Sequence, residues 1–289
     1  QGPVGLTVDN IKVSYYDRSN DVLYMGTHLG GMSVFYPSKG TFSRYPVLNR
    51  GLEQSNIIRS ILPFQDQLII GTYNGIYTFN PLSGSFSLLS QQLNRELTFS
   101  VDMKLDGDVL WVGGTGLWKF NLKTQELKSF LHHRGDTASL SNNNITKLLL
   151  DSKNRLWIAT NGGGLNLMDK QKETFRIFHS GNSTLINNYI SNLMESPTGN
   201  LFISTTHGLS VFDPETGRAV NYAPHNGFPL NSLFNGGMTS TKKGEIFIAG
   251  MNGMVSFYEK NLSIPNRPFN INLVSLWINN EEVKPYDET

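Results

Sequence analysis

The feature that most constrains this chain is a short motif that returns six times at a nearly fixed interval. It reads Leu23-Tyr24-Met25-Gly26-Thr27, Leu68-Ile69-Ile70-Gly71-Thr72 and Leu110-Trp111-Val112-Gly113-Gly114. It continues as Leu156-Trp157-Ile158-Ala159-Thr160, Leu201-Phe202-Ile203-Ser204-Thr205 and Ile246-Phe247-Ile248-Ala249-Gly250. A small residue falls at 26, 71, 113, 159, 204 and 249, so the steps run from 42 to 46 residues. Self-similarity at such a period marks stacked copies of one supersecondary unit.

Each unit reads as four short strands. Ile145–Asp151 is a β-branched and aliphatic run, followed by the polar turn Ser152-Lys153-Asn154 and then by the motif itself. Gly162-Gly163-Gly164 turns the chain into Leu165–Asp169, and Thr174–Phe178 closes the unit. Turn chemistry of the same kind stands at Ser196–Asn200, Asp213–Gly217 and Asn80–Gly84. Four strands per 40–45 residues, repeated, predict an all-β fold: a β-propeller of four-stranded blades. No helical periodicity is sustained, which excludes α-solenoids.

In such a fold the small residues sit where neighbouring sheets converge. Trp111, Trp157, Phe202 and Phe247 are expected to fill the wedges between blades. We divide the chain into blades over 1–265 and a tail over 266–289. In the tail, Phe269–Leu273 alternates with period two, and Leu276-Trp277-Ile278 and Glu281-Glu282-Val283 flank an Asn279-Asn280 turn. Gln1-Gly2-Pro3 has neither an initiator Met nor a leader pattern, so a piece of a longer protein is expected.

Composition narrows the function classes. The 289 residues carry 24 Lys+Arg against 23 Asp+Glu and no Cys. Thiol catalysis, zinc ribbons and iron–sulfur ligation are thereby excluded. A balanced charge without basic blocks argues against nucleic-acid binding. No apolar run approaches the ~18 residues of a membrane span, so membrane insertion by this chain is not expected. Catalytic signatures of the nucleophile-elbow, P-loop and zincin types are absent. No cofactor or metal is expected: His132-His133 point apart in an extended chain, and Asp17 and Asp151 read as turn residues rather than calcium loops. The Asn-x-Ser/Thr matches at Asn144, Asn182 and Asn261 are read as chance.

The unit around Asp151-Ser-Lys-Asn-Arg-Leu-Trp-Ile-Ala-Thr-Asn-Gly-Gly-Gly-Leu165 resembles the two-component regulator propeller repeat, as does Asn188–Tyr222. Lys242–Gly253 resembles the terminal blade of such propellers. The tail from Pro268 to Pro285 resembles the start of the triple-tyrosine immunoglobulin-like domain that follows them. The resemblance implies the periplasmic sensor region of an inner-membrane hybrid two-component histidine kinase. It also implies an oligosaccharide ligand, a second propeller, a homodimeric sensor and control of glycan-utilisation genes. Seven blades are usual there, against six repeats here, so a further blade upstream or completion by Gly2–Val8 is expected.

Propeller function resides in loops rather than in the fold. The fourth-to-first connectors and the second-to-third turns should emerge on one face, which then carries all six histidines: His28, His132, His133, His179, His207 and His225. With Arg50, Tyr73, Arg95, Arg134, Asn161 and Phe228 they suggest a polar, aromatic mouth suited to a sugar. The ligand-binding candidates are His28, Arg50, Tyr73, Arg95, His132, Arg134, Asn161, His207, His225 and Phe228. A bland alternative is that long exposed loops collect such residues anyway. A propeller lyase or glycosidase would need paired carboxylates, whereas the loops offer only Glu53, Glu96 and Asp136 on separate connectors. A spacer or dimerisation scaffold is the third reading. No enzymatic activity is expected of this chain.

Overall fold

The computed structural model describes residues 5–6, 8–47, 53–97, 99–230, 232–233 and 237–262, together with the backbone of two short strands at 276–278 and 281–283. Its strands form successive antiparallel meanders. Blade one comprises β1 (Ile11–Asp17), β2 (Val22–Thr27), β3 (Met32–Tyr36) and β4 (Thr41–Tyr45). Blade two comprises β5 (Ile58–Phe64), β6 (Gln67–Thr72), β7 (Gly75–Asn80) and β8 (Ser85–Leu88). After a short helix, α1 (Gln91–Glu96), blade three holds β9 (Ser100–Asp106), β10 (Val109–Gly114), β11 (Gly116–Asn121) and β12 (Leu127–Phe130). Blade four has β13 (Ile145–Leu150), β14 (Leu156–Thr160), β15 (Leu165–Asp169) and β16 (Thr174–Phe178). Blade five has β17 (Ile190–Glu195), β18 (Leu201–Thr205), β19 (Gly208–Asp213) and β20 (Arg218–Tyr222). Blade six shows three strands among the described residues: β21 (Met238–Ser240), β22 (Glu245–Gly250) and β23 (Gly253–Tyr258). The fold is the expected β-propeller.

The second strand of each blade explains why the motif is almost wholly apolar. Side chains alternate between the two faces of a strand, and in a propeller both faces of a blade meet a neighbour. On β6, Leu68 and Ile70 join the cluster shared with blade one, whereas Ile69 joins the cluster shared with blade three. On β14, Leu156 and Ile158 face blade three, and Trp157 and Ala159 face blade five. Five apolar clusters thus fill the five wedges between consecutive blades. Trp111, Trp157 and Phe202 are buried as expected, while Phe247 on the last blade is half-buried.

The small residue of the motif permits the sheets to converge. A Cβ on Gly26 would lie 2.4 Å from Cγ2 of Ile58 on the next blade, and one on Gly113 would lie 2.7 Å from Cγ2 of Ile145. The first strand of every four-stranded blade also carries an irregularity near its start, as between Ile11 and Val13 or Ile190 and Asn192. Such a bulge bends the strand and re-aims its side chains. Contacts run from β1 to β5, β9, β13, β17 and β21, so the first strands lie innermost, around the axis.

The Arg44 guanidinium on β4 donates to the carbonyls of Gly5 and Leu6, which sets that pair beside blade one. The rest of the expected completing segment, 2–4 and 7, lies outside the described residues. In the tail, β24 (Leu276–Ile278) pairs antiparallel with β25 (Glu281–Val283). The remainder of 266–289, and with it an immunoglobulin-like continuation, lies outside the described residues. Among the described residues, no helix is long and apolar enough to cross a membrane.

Candidate functional site

The second-to-third turns do meet the fourth-to-first connectors on one face. Tyr73 N–H donates to Ile57 O, Asn161 N–H to Asn144 O, and Gly162 N–H to Asn188 O. Each turn therefore leans onto the chain entering the next blade, and the series forms the rim around the axis.

At that rim lies a pocket of about 200 Å³ lined by Arg59, Tyr73, Phe99, Val101, Asn144, Ile145, Thr146, Asn161, Tyr189, Ile190, Ser191 and Thr206. Tyr73 and Phe99 meet edge to face with centroids 4.9 Å apart. The Arg59 guanidinium sits 5.6 Å from the Tyr73 ring centroid, a cation–π arrangement. Its Nε is buried without a hydrogen-bond partner. Tyr189 is 53% exposed. Its ring covers Gly162, whose φ of +103° and lack of a Cβ permit that approach. Among the described residues, the side-chain amides of Asn144 and Asn161 make no hydrogen bond, leaving donors and acceptors open at the rim. The pocket thus offers aromatic rings, a guanidinium and unpaired amides. Among the described residues, none that lines it is Asp or Glu.

Of the residues singled out from sequence, Tyr73 and Asn161 share this pocket. His132 lines a separate depression between blades three and four with Asp136, His179 and Asn188. His132 Nδ1 lies 2.8 Å from Leu140 O, and His179 Nδ1 accepts from Gly181 N–H, so both rings brace their own loops. His28 is half-buried in the β2–β3 turn, with its N–H on Asn10 O. His207 is exposed and neighbours Asn187 and Thr206. His225 is exposed in the single turn Pro224–Asn226. Phe228 is buried with Phe202, Leu230 and Ile246 between blades five and six. Arg95 and Glu96 are exposed on α1, and Arg134 is exposed in its connector. Arg50 and the Glu53 side chain lie outside the described residues. No group of three or more potential metal ligands occurs among the described residues.

The composition of the loops does not single out Arg59, Asn144 or Tyr189, and Arg59 lies on an innermost strand. A signal existed. The unpaired residue within the first-strand irregularity is Lys12, Arg59, Val101, Thr146 and Ser191 in successive blades, polar in all but one.

Beneath the rim, the first strands enclose a second cavity of about 400 Å³ along the axis, lined among others by Lys12, Ser14, Lys104, Lys147 and Asn192. Behind it stands Asp102, 5% exposed. Its Oδ1 accepts from Met103 N–H and its Oδ2 from Leu148 N–H on the next blade, both at 3.0 Å. Lys104 Nζ lies 3.5 Å and Lys147 Nζ 3.3 Å from the same Oδ2. Burial alone would raise the carboxyl pKa. The two ammoniums and the Leu148 amide outweigh it and hold the group below the usual carboxylate range.

These features define a propeller with a polar and aromatic axial mouth. Residues 139–162 match the family model described as two component regulator propeller. Over 334 aligned residues the chain is 24% identical to histidine kinase P4 of Formosa agariphila, spanning 95% of this chain and 24% of that protein. Two solved structures share the fold, both described as extracellular domains of hybrid two component systems of B. thetaiotaomicron. One, BT4673, has TM-score 0.71 at 20% identity, covering 90% of this chain and 33% of that one. The other, BT3049, has TM-score 0.69 at 20% identity, covering 86% and 33%. The chain therefore spans about a quarter of the curated relative and a third of each structural neighbour.

Proposed function

We propose that this chain is a ligand-binding propeller module of an extracytoplasmic two-component sensor, and that its axial mouth receives a saccharide released from a polysaccharide. The observation that carries the reading is the mouth itself: Tyr73, Phe99 and Tyr189 beside Arg59, with the free amides of Asn144 and Asn161. Sugar rings present C–H faces that pack on aromatic rings and hydroxyls that pair with amides and guanidinium groups. The likeness to extracellular domains of hybrid two component systems and to a histidine kinase supports the sensor part of this reading; a periplasmic location, a downstream kinase and control of glycan-utilisation genes are part of the same proposal. Signalling then requires the saccharide to prefer one arrangement of the sensor over another, since only differential affinity shifts an equilibrium. A hydrolytic alternative needs two carboxylates across the scissile bond, and no Asp or Glu among the described residues lines this pocket.

Calorimetric titration with a panel of neutral and acidic oligosaccharides tests the proposal. At least one should bind, and Tyr189→Ala should weaken it tenfold or more without changing thermal stability. Absence of binding across the panel, or an affinity indifferent to both Tyr73→Ala and Tyr189→Ala, refutes it.

A further inference from the structure

The axial cavity beneath the mouth has an imbalance that saccharide binding at the rim does not explain. Among the described residues three ammonium groups line it, from Lys12 on β1, Lys104 on β9 and Lys147 on β13, and no Asp or Glu does. Their one acidic partner, Asp102, is set back between blades and is already shared: Lys104 and Lys147 both approach its Oδ2. Lys12 makes no ion pair among the described residues. One carboxylate therefore compensates at most one of three cations.

Lysines that serve only solubility point outward from a sheet edge, where water and salt screen them. Lys104 and Lys147 instead stand partly buried on innermost strands, and with the exposed Lys12 they line one open-mouthed cavity, where like charges repel. Burial lowers the pKa of Lys104, an effect the Asp102 carboxylate opposes. A cavity lined by one sign of charge focuses the field and concentrates counter-ions. Asp102 is fixed by two backbone amides, so it cannot swing forward to neutralise the pocket. Ser14 on β1 and Asn192 on β17 also line the cavity.

We propose that this channel is an oxyanion site, taking the carboxylate or sulfate of an acidic ligand between Lys12, Lys104 and Lys147. Thr146 and Ser191 of the mouth stand one residue from Lys147 and Asn192 of this cavity, so an acidic sugar held at the mouth would direct its anionic group into it. To that extent the inference rests on the mouth reading, and it names the ligand class: uronic or sulfated rather than neutral saccharides. The anion site itself stands without the mouth.

The test measures binding of sulfate, glucuronate and glucose to the purified chain at constant ionic strength, by calorimetry and by thermal shift. Sulfate and glucuronate should bind and raise Tm where chloride and glucose do not. Lys12→Gln, which leaves Asp102 and its partners untouched, should weaken anion binding about tenfold, and Lys147→Gln by at least as much. Asp102→Asn should strengthen it, because the competing carboxylate is gone. Glucuronate binding more tightly than sulfate identifies a sugar-borne anion, and equal binding a free oxyanion; both support the site. Sulfate indistinguishable from chloride, or an affinity unchanged in Lys12→Gln, overturns it. If neutral oligosaccharides bind through Tyr189 while Lys12→Gln has no effect, the channel inference fails and the mouth reading stands. If instead sulfate binding survives Tyr73→Ala and Tyr189→Ala in a chain that binds no oligosaccharide, the anion site stands and the mouth reading fails.

Discussion

Replacing Gly26 by Ala should destabilise the propeller without touching any ligand group. The new Cβ would lie 2.4 Å from Cγ2 and 2.8 Å from Cβ of Ile58, and 2.8 Å from Cγ1 of Val13. Carbon pairs rest at about 3.5–4.0 Å, so roughly 1 Å must be found. Flexible side-chain ends cannot supply it, since all three atoms belong to β-branched residues that are stiff at χ1. Ile58 is fully buried, with Tyr24, Met32 and Ile61 in its cluster, so blades one and two must separate. Overpacking of a tight core costs about 1–3 kcal/mol, and the backbone-proximal clash places this case near the top of that range. At roughly 2–4 °C per kcal/mol for a domain of this size, Tm should fall by about 5–10 °C in scanning calorimetry. Gly237→Ala, whose Cβ would meet nothing within 4 Å, is the control. Ile58→Ala removes Cγ2 and should itself cost about 2–5 kcal/mol, yet the double variant should lose at least ~1 kcal/mol less than the sum of the singles. A Tm for Gly26→Ala within 1 °C of the parent, or strict additivity in the double variant, would refute the view that glycine sets the blade spacing.

Three further outcomes are expected. Asp102 ionises more readily in the folded chain than in the unfolded one, so its contribution to stability is complete above the unfolded carboxylate pKa of about 3.9. That contribution is lost as pH falls through the lower folded value; Asp102→Asn, which strands two lysines, should cost about 3–5 kcal/mol at neutral pH and flatten the acid limb of a denaturant-midpoint profile. Trp157→Phe deletes the 2.8 Å hydrogen bond from Nε1–H to Asp151 Oδ2 and should cost about 1.5–3 kcal/mol, the range for a bond to a charged group, read by chemical denaturation. Arg59→Met should leave stability within about 1 kcal/mol, since the Arg59 Nε has no partner to lose, while weakening acidic saccharides more than neutral ones in calorimetry.

The fold was legible because the wedges between consecutive blades impose the same demand on one copy of the motif after another. Leu156, Trp157 and Ile158 must all be apolar when both faces of β14 meet neighbours, and Ala159 must be small for the strands to converge. Repetition turned a weak local pattern into a periodic one. Asp151 was legible as a turn residue and does accept from Lys153 and Arg155 N–H. Its anchoring of the Trp157 indole was not, because that contact depends on which face the ring takes. The rim was legible as a face: Tyr73 and Asn161 lie in the axial pocket. Arg59 and Tyr189 were not, because nearness to the axis depends on where the first-strand irregularity re-aims each side chain. Asp102 was hidden for another reason. Its partners Lys104 and Lys147 lie on two strands of different blades, and one sequence does not pair them.

The division of labour among strands would let the proposed ligand site change without unsettling the core. In blades two to five the second strand is buried on both faces, so its composition there is fixed by packing. The third and fourth strands complete the hydrogen-bonded ladder outward, away from the axis. The first strands and the rim turns line the axial pockets, and there the unpaired position within the irregularity reads Lys12, Arg59, Val101, Thr146 and Ser191. These residues contribute little to the wedges, whose clusters draw instead on Ile58, Ile145 and Ile190 one place earlier. A single step along the strand therefore separates a residue that holds two blades together from one free to vary with the ligand. The channel's excess of positive charge is written in Lys12 of the second set and in Lys104 and Lys147 close beside it; Lys12→Gln should leave the propeller folded, whereas Lys104 and Lys147 also hold the buried Asp102 and carry a structural cost when replaced.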